Sequence, residues 1–304
     1  MEGFKMPDPY EVSRTLALHL KEGNSIHFQK AIKLLFKTVE NLFLGKLNGV
    51  EDIFYELNLQ GFPDLKHLYI ANNNDIKYIF NSMNLLLLQD VFPKLESLHL
   101  YELEKLETIC SSDLPDASFR NLKLVKIKMC HQLQNVFSLS MVRLLTKLET
   151  IEVSDCNALK EIVDKHRQGN SEIEVGDYEV DKVEFPELRH LTLQGLFQLT
   201  GFYTNDMLLF TEMVEVPNLE NLVLSSIKIS QIWGDIHTSP APNFQSLIKL
   251  NVKNCDNLKY LLSISMAEFL VNLKNLRVST CEGMEELIAQ EDSANITKAN
   301  KNLI

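Results

Sequence analysis

The sequence lacks the features that mark secreted and membrane-spanning proteins. No run of 18 apolar residues occurs, and the N-terminal stretch MEGFKMPDPY has no basic segment followed by an apolar one, so we expect neither a membrane span nor a secretory signal. Cysteine is scarce as well, because five in 304 residues is an odd number that does not suggest a disulfide framework. These absences favour a reducing, intracellular compartment. We predict a cytoplasmic protein, with the nucleus as a second location.

The motifs of common catalytic and metal sites are also missing. The sequence has no His-Glu-x-x-His helix, no Gly-x-Ser-x-Gly turn and no paired-cysteine spacing for zinc, all of which place reactive groups at fixed distances. The eight histidines are scattered, whereas a metal needs several ligands to converge. A net charge of −11 disfavours binding to nucleic acid or anionic lipid. We therefore predict no enzyme activity, no catalytic, cofactor-binding or metal-binding residues, and no cofactor.

The sequence does contain an internal repeat. Two leucine-rich units run from Phe119 to Val163, and a matching pair returns 125 residues later, from Phe244 to Ile288. The pattern LxxLxLxx(N/C/L)xxLxxL can be placed ten times along the chain, at spacings typical of leucine-rich repeats. Its strand cores are Leu18/Leu20, Leu42/Leu44, Leu68/Ile70, Leu98/Leu100, Val125/Ile127, Ile151/Val153, Leu191/Leu193, Leu222/Leu224, Leu250/Val252 and Leu276/Val278.

The alternation within each core predicts the fold. A strand of period 2 points its leucines to one side, and a single unit cannot bury them alone, so the units must stack. We predict an α/β leucine-rich-repeat solenoid of about ten irregular repeats, with a parallel sheet on the concave face and short helices and loops on the convex face. Helical pieces are expected at Ser138–Leu145 and Ser263–Leu270.

The domain organisation follows from where the pattern holds. Residues 1–12 form an N-terminal extension, residues 13–291 the solenoid, and residues 292–304 a tail that has lost the pattern and is expected to be disordered. One acidic, polar insertion at residues 164–184 interrupts the repeats and is expected to be a mobile loop.

Four of the five cysteines fall at equivalent places in the repeats. Cys130 with Cys156, and Cys255 with Cys281, lie 26 residues apart on neighbouring units, so a disulfide or a metal is geometrically conceivable. We favour the alternative that each cysteine is a small buried group under a turn, in the place that Asn73 occupies in the third unit. Cys110 lies off this pattern and is expected to be the accessible thiol.

The concave face is the predicted partner-binding surface. Its central residues, between the two apolar positions of each core, are His19, Phe43, Tyr69, His99, Lys126, Glu152, Thr192, Val223, Asn251 and Arg277. Outward positions from the fifth unit onward turn basic, at Lys123, Lys126, Lys128, Lys249, Lys253, Lys274 and Arg277, and they are interrupted by Glu149, Glu152 and Asp155. The predicted partner-binding residues are His19, Phe43, Tyr69, His99, Tyr101, Lys126, Lys128, Glu152, Asn251, Lys253 and Arg277.

Two interpretations of this surface stay open. Exposed aromatic side chains in a row favour a protein partner, because they offer a large apolar area at low entropic cost. Lysines gathered on the sheet of an acidic protein suggest an acidic partner surface. Alternatively, these are ordinary solvated strand faces, and the aromatic side chains are partly covered by a preceding unit.

Several stretches resemble a known family. The segments FPDLKHLYI, FPKLESLHL, FPELRHLTL and VPNLENLVL, together with VKIKMCHQLQNVF and IEVSDCNALKEIV, are similar to the C-terminal leucine-rich region of plant intracellular disease-resistance receptors of the coiled-coil, nucleotide-binding type. The resemblance covers about residues 13 to 291. It implies recognition of a protein partner, namely a pathogen effector, a host protein that effectors modify, or the receptor's own nucleotide-binding module, which the repeats would restrain.

The phosphate-binding loop of that family, GxxxxGK[ST], is absent from the sequence. We therefore expect a fragment, or a gene product that keeps only the sensor end. The alternative function is a leucine-rich-repeat substrate adaptor for ubiquitin ligation, or a scaffold for another intracellular complex. Such adaptors usually carry an F-box ahead of the repeats, and residues 1–12 are too few for one.

Overall fold

The computed structural model describes most of the repeat region. The described residues are 13–19, 34–47, 49–53, 57, 61–81, 90–110, 114–164, 182–203, 207–234 and 244–289. The predictions for residues 1–12 and 292–304 lie outside them. Within the described part, none of the helices is long and apolar enough to cross a membrane.

Ten parallel strands form one continuous sheet, which confirms the predicted solenoid of about ten repeats. With all strands numbered in chain order, the sheet consists of β1 (Thr15–His19), β2 (Asn41–Gly45), β3 (His67–Asn73), β5 (Ser97–Leu103), β7 (Leu124–Lys128), β9 (Thr150–Ser154), β12 (His190–Gln194), β15 (Asn221–Ser225), β17 (Lys249–Lys253) and β19 (Asn275–Ser279). Each strand pairs with the next in the same register, so equivalent residues of successive units lie side by side.

The predicted strand cores are confirmed in nine units and wrong in the first. Leu42 pairs with Leu16, and Leu44 pairs with Leu18, so the core of β1 is Leu16/Leu18 rather than Leu18/Leu20. The stretch TLALHL carries leucine at three alternate positions, and period 2 alone therefore allows either choice. Hydrogen bonding to β2 selects the earlier one.

In nine of the ten strands, from β2 to β19, the end of the strand is a tight turn that uses a left-handed backbone residue; residue 20, which follows β1, lies outside the described residues. This residue has φ between 52° and 62° in nine units: Lys46, Asn72, Glu102, Met129, Asp155, Gly195, Ser226, Asn254 and Thr280. A left-handed conformation is unfavourable for most side chains, so the stacked coils on either side hold it in place. The turn directs the chain off the sheet toward the opposite side of the coil.

The interior is a column of apolar side chains that runs along the solenoid. The inward residues of β2 to β17, such as Leu68 and Leu222, are fully or almost fully buried. Phenylalanines that begin several units pack against one another behind them, with ring centroids 5.4 Å apart for both Phe36–Phe62, which is edge-to-face, and Phe62–Phe92, which is stacked. At about 25 cal/mol per Å² of apolar surface removed from water, this continuous burial is the main stabilising contribution.

The side opposite the sheet carries short strands as well as the predicted short helices. The strands are β4 (Tyr78–Phe80), β6 (Thr108–Cys110), β8 (Asn135–Ser138), β10 (Glu161–Asp164), β11 (Val183–Glu184), β13 (Leu208–Phe210), β14 (Val214–Glu215), β16 (Gln231–Trp233), β18 (Tyr260–Ser263) and β20 (Glu286–Ala289). The helices are α1 (Leu139–Val142), α2 (Ile264–Phe269) and a 3-10 turn, Phe244–Ser246.

Both helices lie within the stretches predicted for them. Each begins after a serine, Ser138 or Ser263, whose hydroxyl accepts a hydrogen bond from a backbone N–H of the first turn at 3.2 Å, as an N-cap does. The predicted insertion is flanked by strands at both ends, since β10 includes Asp164 and β11 includes Val183 and Glu184. Its central residues, 165–181, lie outside the described part.

Candidate functional site on the concave sheet

The concave surface is built from the alternate residues of the ten paired strands. Each five-residue strand presents its first, third and fifth side chains outward, and the register aligns them in three rows across the sheet. The middle row reads Ala17, Phe43, Tyr69, His99, Lys126, Glu152, Thr192, Val223, Asn251 and Arg277. The predicted surface residues are therefore brought together, except for one shift in the first strand.

His19 lies in the third row rather than the middle row. It pairs with Gly45, and a Cβ added at Gly45 would lie 2.7 Å from His19 Nδ1. The imidazole therefore occupies the space that the glycine leaves open. Ala17 takes the place predicted for His19, because the register of β1 is shifted by two residues.

The aromatic residues of the N-terminal half stack on one another. The rings of Phe43 and Tyr69 lie 4.5 Å apart at 11°, and those of Tyr69 and His99 lie 4.2 Å apart at 16°. Phe43 and His99 are each only 9% exposed. For these two residues the interpretation of exposed aromatic side chains is therefore wrong, and the alternative, coverage by a neighbouring unit, is confirmed. Strands about 4.8 Å apart let flat rings cover one another.

Burial also changes the acid–base behaviour of this region. Burial, with the nearby charge of Lys126, lowers the pKa of His99 to about 4, so the ring is neutral near pH 7. Burial likewise lowers the pKa of His67, whose Nδ1 lies 2.8 Å from Ser97 Oγ. Tyr101 is half-buried, and burial followed by the charge of Glu152 raises its pKa.

In the centre of the sheet, the predicted basic residues are neutralised in part. Lys126 Nζ lies 2.9 Å from Glu152 Oε2, and Lys123 Nζ lies 3.2 Å from Glu96 Oε2. These two basic residues therefore have carboxylate partners, and one of the partners, Glu152, is among the acidic residues expected to interrupt the basic positions. Lys128 is exposed and makes no ion pair within the described residues.

The C-terminal end of the sheet is different, because its cations have no carboxylate partner. Lys249, Lys253, Lys274 and Arg277 are exposed, and none of them forms an ion pair in the part of the chain that the structure describes. Between them, the buried Oδ1 atom of Asn251 accepts no hydrogen bond from the described residues. This end of the concave sheet therefore offers unneutralised donors to a partner. We name Lys249, Asn251, Lys253 and Arg277 the C-terminal patch.

One feature of the sheet was missed by reasoning from the sequence. The residue just before each of the first eight strands of the sheet alternates in charge along the solenoid: Arg14, Glu40, Lys66, Glu96, Lys123, Glu149, Arg189 and Glu220. Several neighbours form ion pairs, including Arg14–Glu40 at 3.2 Å and Arg189–Glu220 at 2.7 Å. Listing that one position in every unit would have shown the alternation. We call this row the charge ladder.

Three of the four repeat cysteines, Cys130, Cys156 and Cys255, are the small buried groups that the sequence predicted. All five cysteines are free thiols, and each of the four in the repeats donates from Sγ to the carbonyl two residues earlier, as Cys156 does to Ser154 at 3.4 Å. Cys110 is 2% exposed and burial raises the pKa of its thiol. The prediction that Cys110 is the accessible thiol is therefore wrong, because Cys110 lies in β6, a short strand whose three residues are all buried. Cys281 is more exposed than the other cysteines.

The described residues contain no cluster of three or more histidine, cysteine or acidic side chains placed to hold a metal ion. The sheet presents stacked rings in its N-terminal half, and at its C-terminal end it presents cations that have no carboxylate partner among the described residues. Such a surface can recognise another macromolecule through complementary charge and contact area. It is the scaffold expected of a recognition domain.

Comparison with known proteins supports this assignment. The family model of plant disease resistance protein RPS2-like leucine-rich repeats matches residues 14–156, 113–223 and 217–304. No curated protein matches the chain. The three matches together span nearly the whole sequence, and the chain therefore belongs to the family of plant disease resistance protein RPS2-like leucine-rich repeats.

Proposed function

We propose that this solenoid is the non-catalytic recognition domain of a plant innate-immune receptor. It would bind a protein in the cytoplasm or nucleus: a pathogen effector, a guarded host protein, or a nucleotide-binding receptor module that it restrains. The C-terminal patch is the contact surface that we assign. The family match supports a role in recognition, and the unneutralised cations support the C-terminal patch as the contact surface.

The contrast between the two ends of the sheet carries this assignment. In the N-terminal half and the centre, the cations at Arg14, Lys66 and Lys126 are paired with carboxylates. At the C-terminal end, Lys253 and Arg277 face solvent and have no carboxylate partner among the described residues. Cations left unpaired on a chain of net charge −11 attract an acidic surface and steer its approach.

The stacked residues have a supporting role in this proposal. Phe43, Tyr69 and His99 bury much of their surface against one another. They therefore shape the concave face and offer limited area to a partner. Tyr69 and Tyr101 keep some exposure and can form the apolar part of the contact.

The experiment is proximity labelling in plant cells with the wild-type chain and with the double variant Lys253→Glu/Arg277→Glu. We expect the variant to lose the partner that the wild type labels, because both exposed charges are reversed. Lys160→Glu is the matched control, since Lys160 is exposed and precedes β10 on the other side of the solenoid. Affinity of the purified pair should fall about tenfold in the double variant at low salt, and less at high salt.

The identity of the lost partner decides between the candidate functions. A nucleotide-binding module would indicate autoinhibition, whereas an effector or its host target would indicate sensing. A ubiquitin-ligase subunit would favour the adaptor function instead. Equal labelling by wild type and double variant would exclude the C-terminal patch as the contact surface.

A further inference from the structure

The last coil of the solenoid leaves an apolar surface exposed. β19 pairs with β17 on one edge, and no described strand pairs with its other edge. Leu276 and Ile288 are 46% and 45% exposed, whereas the equivalent Leu250 and Leu262 of the preceding coil are 1% and 5% exposed. Val271 and Leu287 extend this surface at 72% and 53% exposure. We name these side chains and the free edge of β19 the end face.

Leu276, Leu287 and Ile288 of the end face occupy positions whose equivalents in the preceding coil are buried against the next coil. An open strand edge offers unpaired N–H and C=O groups to another strand, and a contiguous apolar patch marks an interaction site. A coil whose strand paired with β19 in parallel would bring its own inward side chains over Leu276 and Ile288, as the coil of β19 and β20 does for Leu250 and Leu262.

Two charges beside the end face restrict what can bind there. Lys274 precedes β19 and Arg277 lies at its centre, and neither forms an ion pair among the described residues. β7 has cations at the same two positions, Lys123 and Lys126. The strand that covers β7 is β9.

β9 carries a carboxylate at each of the two positions next to the cations of β7. Glu152 at the strand centre lies 2.9 Å from Lys126 Nζ. Glu149 stands before the strand, and its backbone N–H donates to the carbonyl of Lys123, while the Lys123 ammonium group pairs with Glu96. At the same position of two later coils, Arg189 does pair with the following carboxylate, Glu220, at 2.7 Å. The molecule therefore contains its own example of the strand that fits a surface with this pattern of cations.

We propose that the end face binds a β-strand from a further leucine-rich coil, one that carries a carboxylate immediately before the strand and another at its centre. The strand lies in a separate polypeptide. It pairs in parallel with β19, places its apolar side chains on Leu276 and Ile288, and sets its two carboxylates against Lys274 and Arg277.

The same charges disfavour the two occupants that the sequence itself supplies. If the first strand of a second copy paired with β19, Arg14 would lie opposite Lys274, where two like charges would repel. Ala17 would lie opposite Arg277 and would offer it no charge. In residues 290–304 the carboxylates are Glu291 and Asp292, immediately after β20, and the later ionisable residues are lysines.

The test uses the full chain and a synthetic peptide that copies residues 145–164, the coil that contains β9. Hydrogen exchange should show that the peptide protects the backbone amides of β19, residues 275–279. Fluorescence anisotropy of the labelled peptide gives the affinity. A peptide with Glu149→Lys and Glu152→Lys should bind at least about tenfold more weakly, because two attractions become repulsions.

Variants of the full chain supply the matched controls. The charge-swapped chain, Lys274→Glu/Arg277→Glu, should prefer the lysine peptide over the original one. Val271→Ser should weaken binding, whereas Phe197→Ser should not, since Phe197 is 52% exposed at a different coil. All four positions are exposed, so the substitutions leave the core intact.

Several results would overturn the proposal. One is the absence of protection at residues 275–279 with the peptide at about 1 mM, the limit of weak specific binding. Equal affinity for the two peptides is another. Concentration-dependent self-association would identify a second copy as the occupant. Faster exchange at residues 275–279 after removal of residues 290–304 would identify the tail instead.

Discussion

The turn at Asn73 gives a sharp test of how the coils are held together. Asn73 is 2% exposed, and its side chain makes three hydrogen bonds to the backbone. Oδ1 accepts from the N–H groups of Asp75 and Ile76 at 2.8 and 2.9 Å, and Nδ2 donates to the carbonyl of Leu47 on the preceding coil. The substitution Asn73→Ala removes all three at once and leaves two backbone donors and one acceptor without partners.

The expected loss can be worked out from these contacts. A buried polar group that loses its partner costs about 1–3 kcal/mol. Ile76 is fully buried whereas Asp75 is half-buried, so water can reach part of the site. We expect Asn73→Ala to lower the free energy of unfolding by about 3–5 kcal/mol. Asn73→Cys should cost less, about 2 kcal/mol, because a thiol can donate to the carbonyl two residues earlier, as Cys156 does.

The assay is urea unfolding combined with hydrogen exchange at the amides of Asp75 and Ile76. Exchange reports the coil itself, which matters because long repeat arrays can unfold in parts. Cys156→Ala is the control: it removes one weak S–H donor and a small volume, and should cost about 1–2 kcal/mol. If Asn73→Ala were no more destabilising than Cys156→Ala, the bridging role of the asparagine would be refuted.

Two further predictions concern the last coil and the stacked histidine. Gly283→Ala should destabilise the last coil, because the added Cβ would lie 1.8 Å from the backbone oxygen of Asp256; hydrogen exchange in β19 and β20 should accelerate, with strands such as β7 unchanged. His99 has a pKa of about 4 when folded against 6.5 ordinarily. Between those values the unfolded chain binds the proton and the folded chain does not, so stability should fall as the pH is lowered from 6.5 toward 4. His99→Phe keeps a ring in the stack, and its urea midpoint should depend less on pH in this range; an unchanged slope would contradict the assignment.

Much of the sheet could be predicted from the sequence because its pattern is local. An alternation such as Leu222–Val223–Leu224 specifies which side chains point inward, and the spacing between units sets which strands are neighbours. The exception was β1, where alternating leucines permit two registers. Only pairing with another strand, through contacts to residues 26 positions away, decides between them.

Whether an outward side chain is exposed, buried or paired with an opposite charge depends on contacts that no local pattern specifies. Alternation correctly placed Phe43 and His99 on the concave side, but their burial comes from Tyr69, which lies between them on β3. In the same way, Lys126 is outward as predicted, and its neutralisation comes from Glu152 on the next coil. Cys110 shows the reverse error, because a residue outside the repeat pattern is still buried by the second row of short strands.

The charge ladder gives the array a period of two coils instead of one. Lys66, Glu96, Lys123 and Glu149 follow one another across the sheet with alternating sign. Loss of a single coil, for example the one that carries Glu96, would bring Lys66 and Lys123 side by side, and gain of a single copied coil would set two like charges together. Loss or gain of two adjacent coils leaves the sequence of signs intact. Within this ladder, electrostatics therefore favours a solenoid that lengthens or shortens by pairs of units.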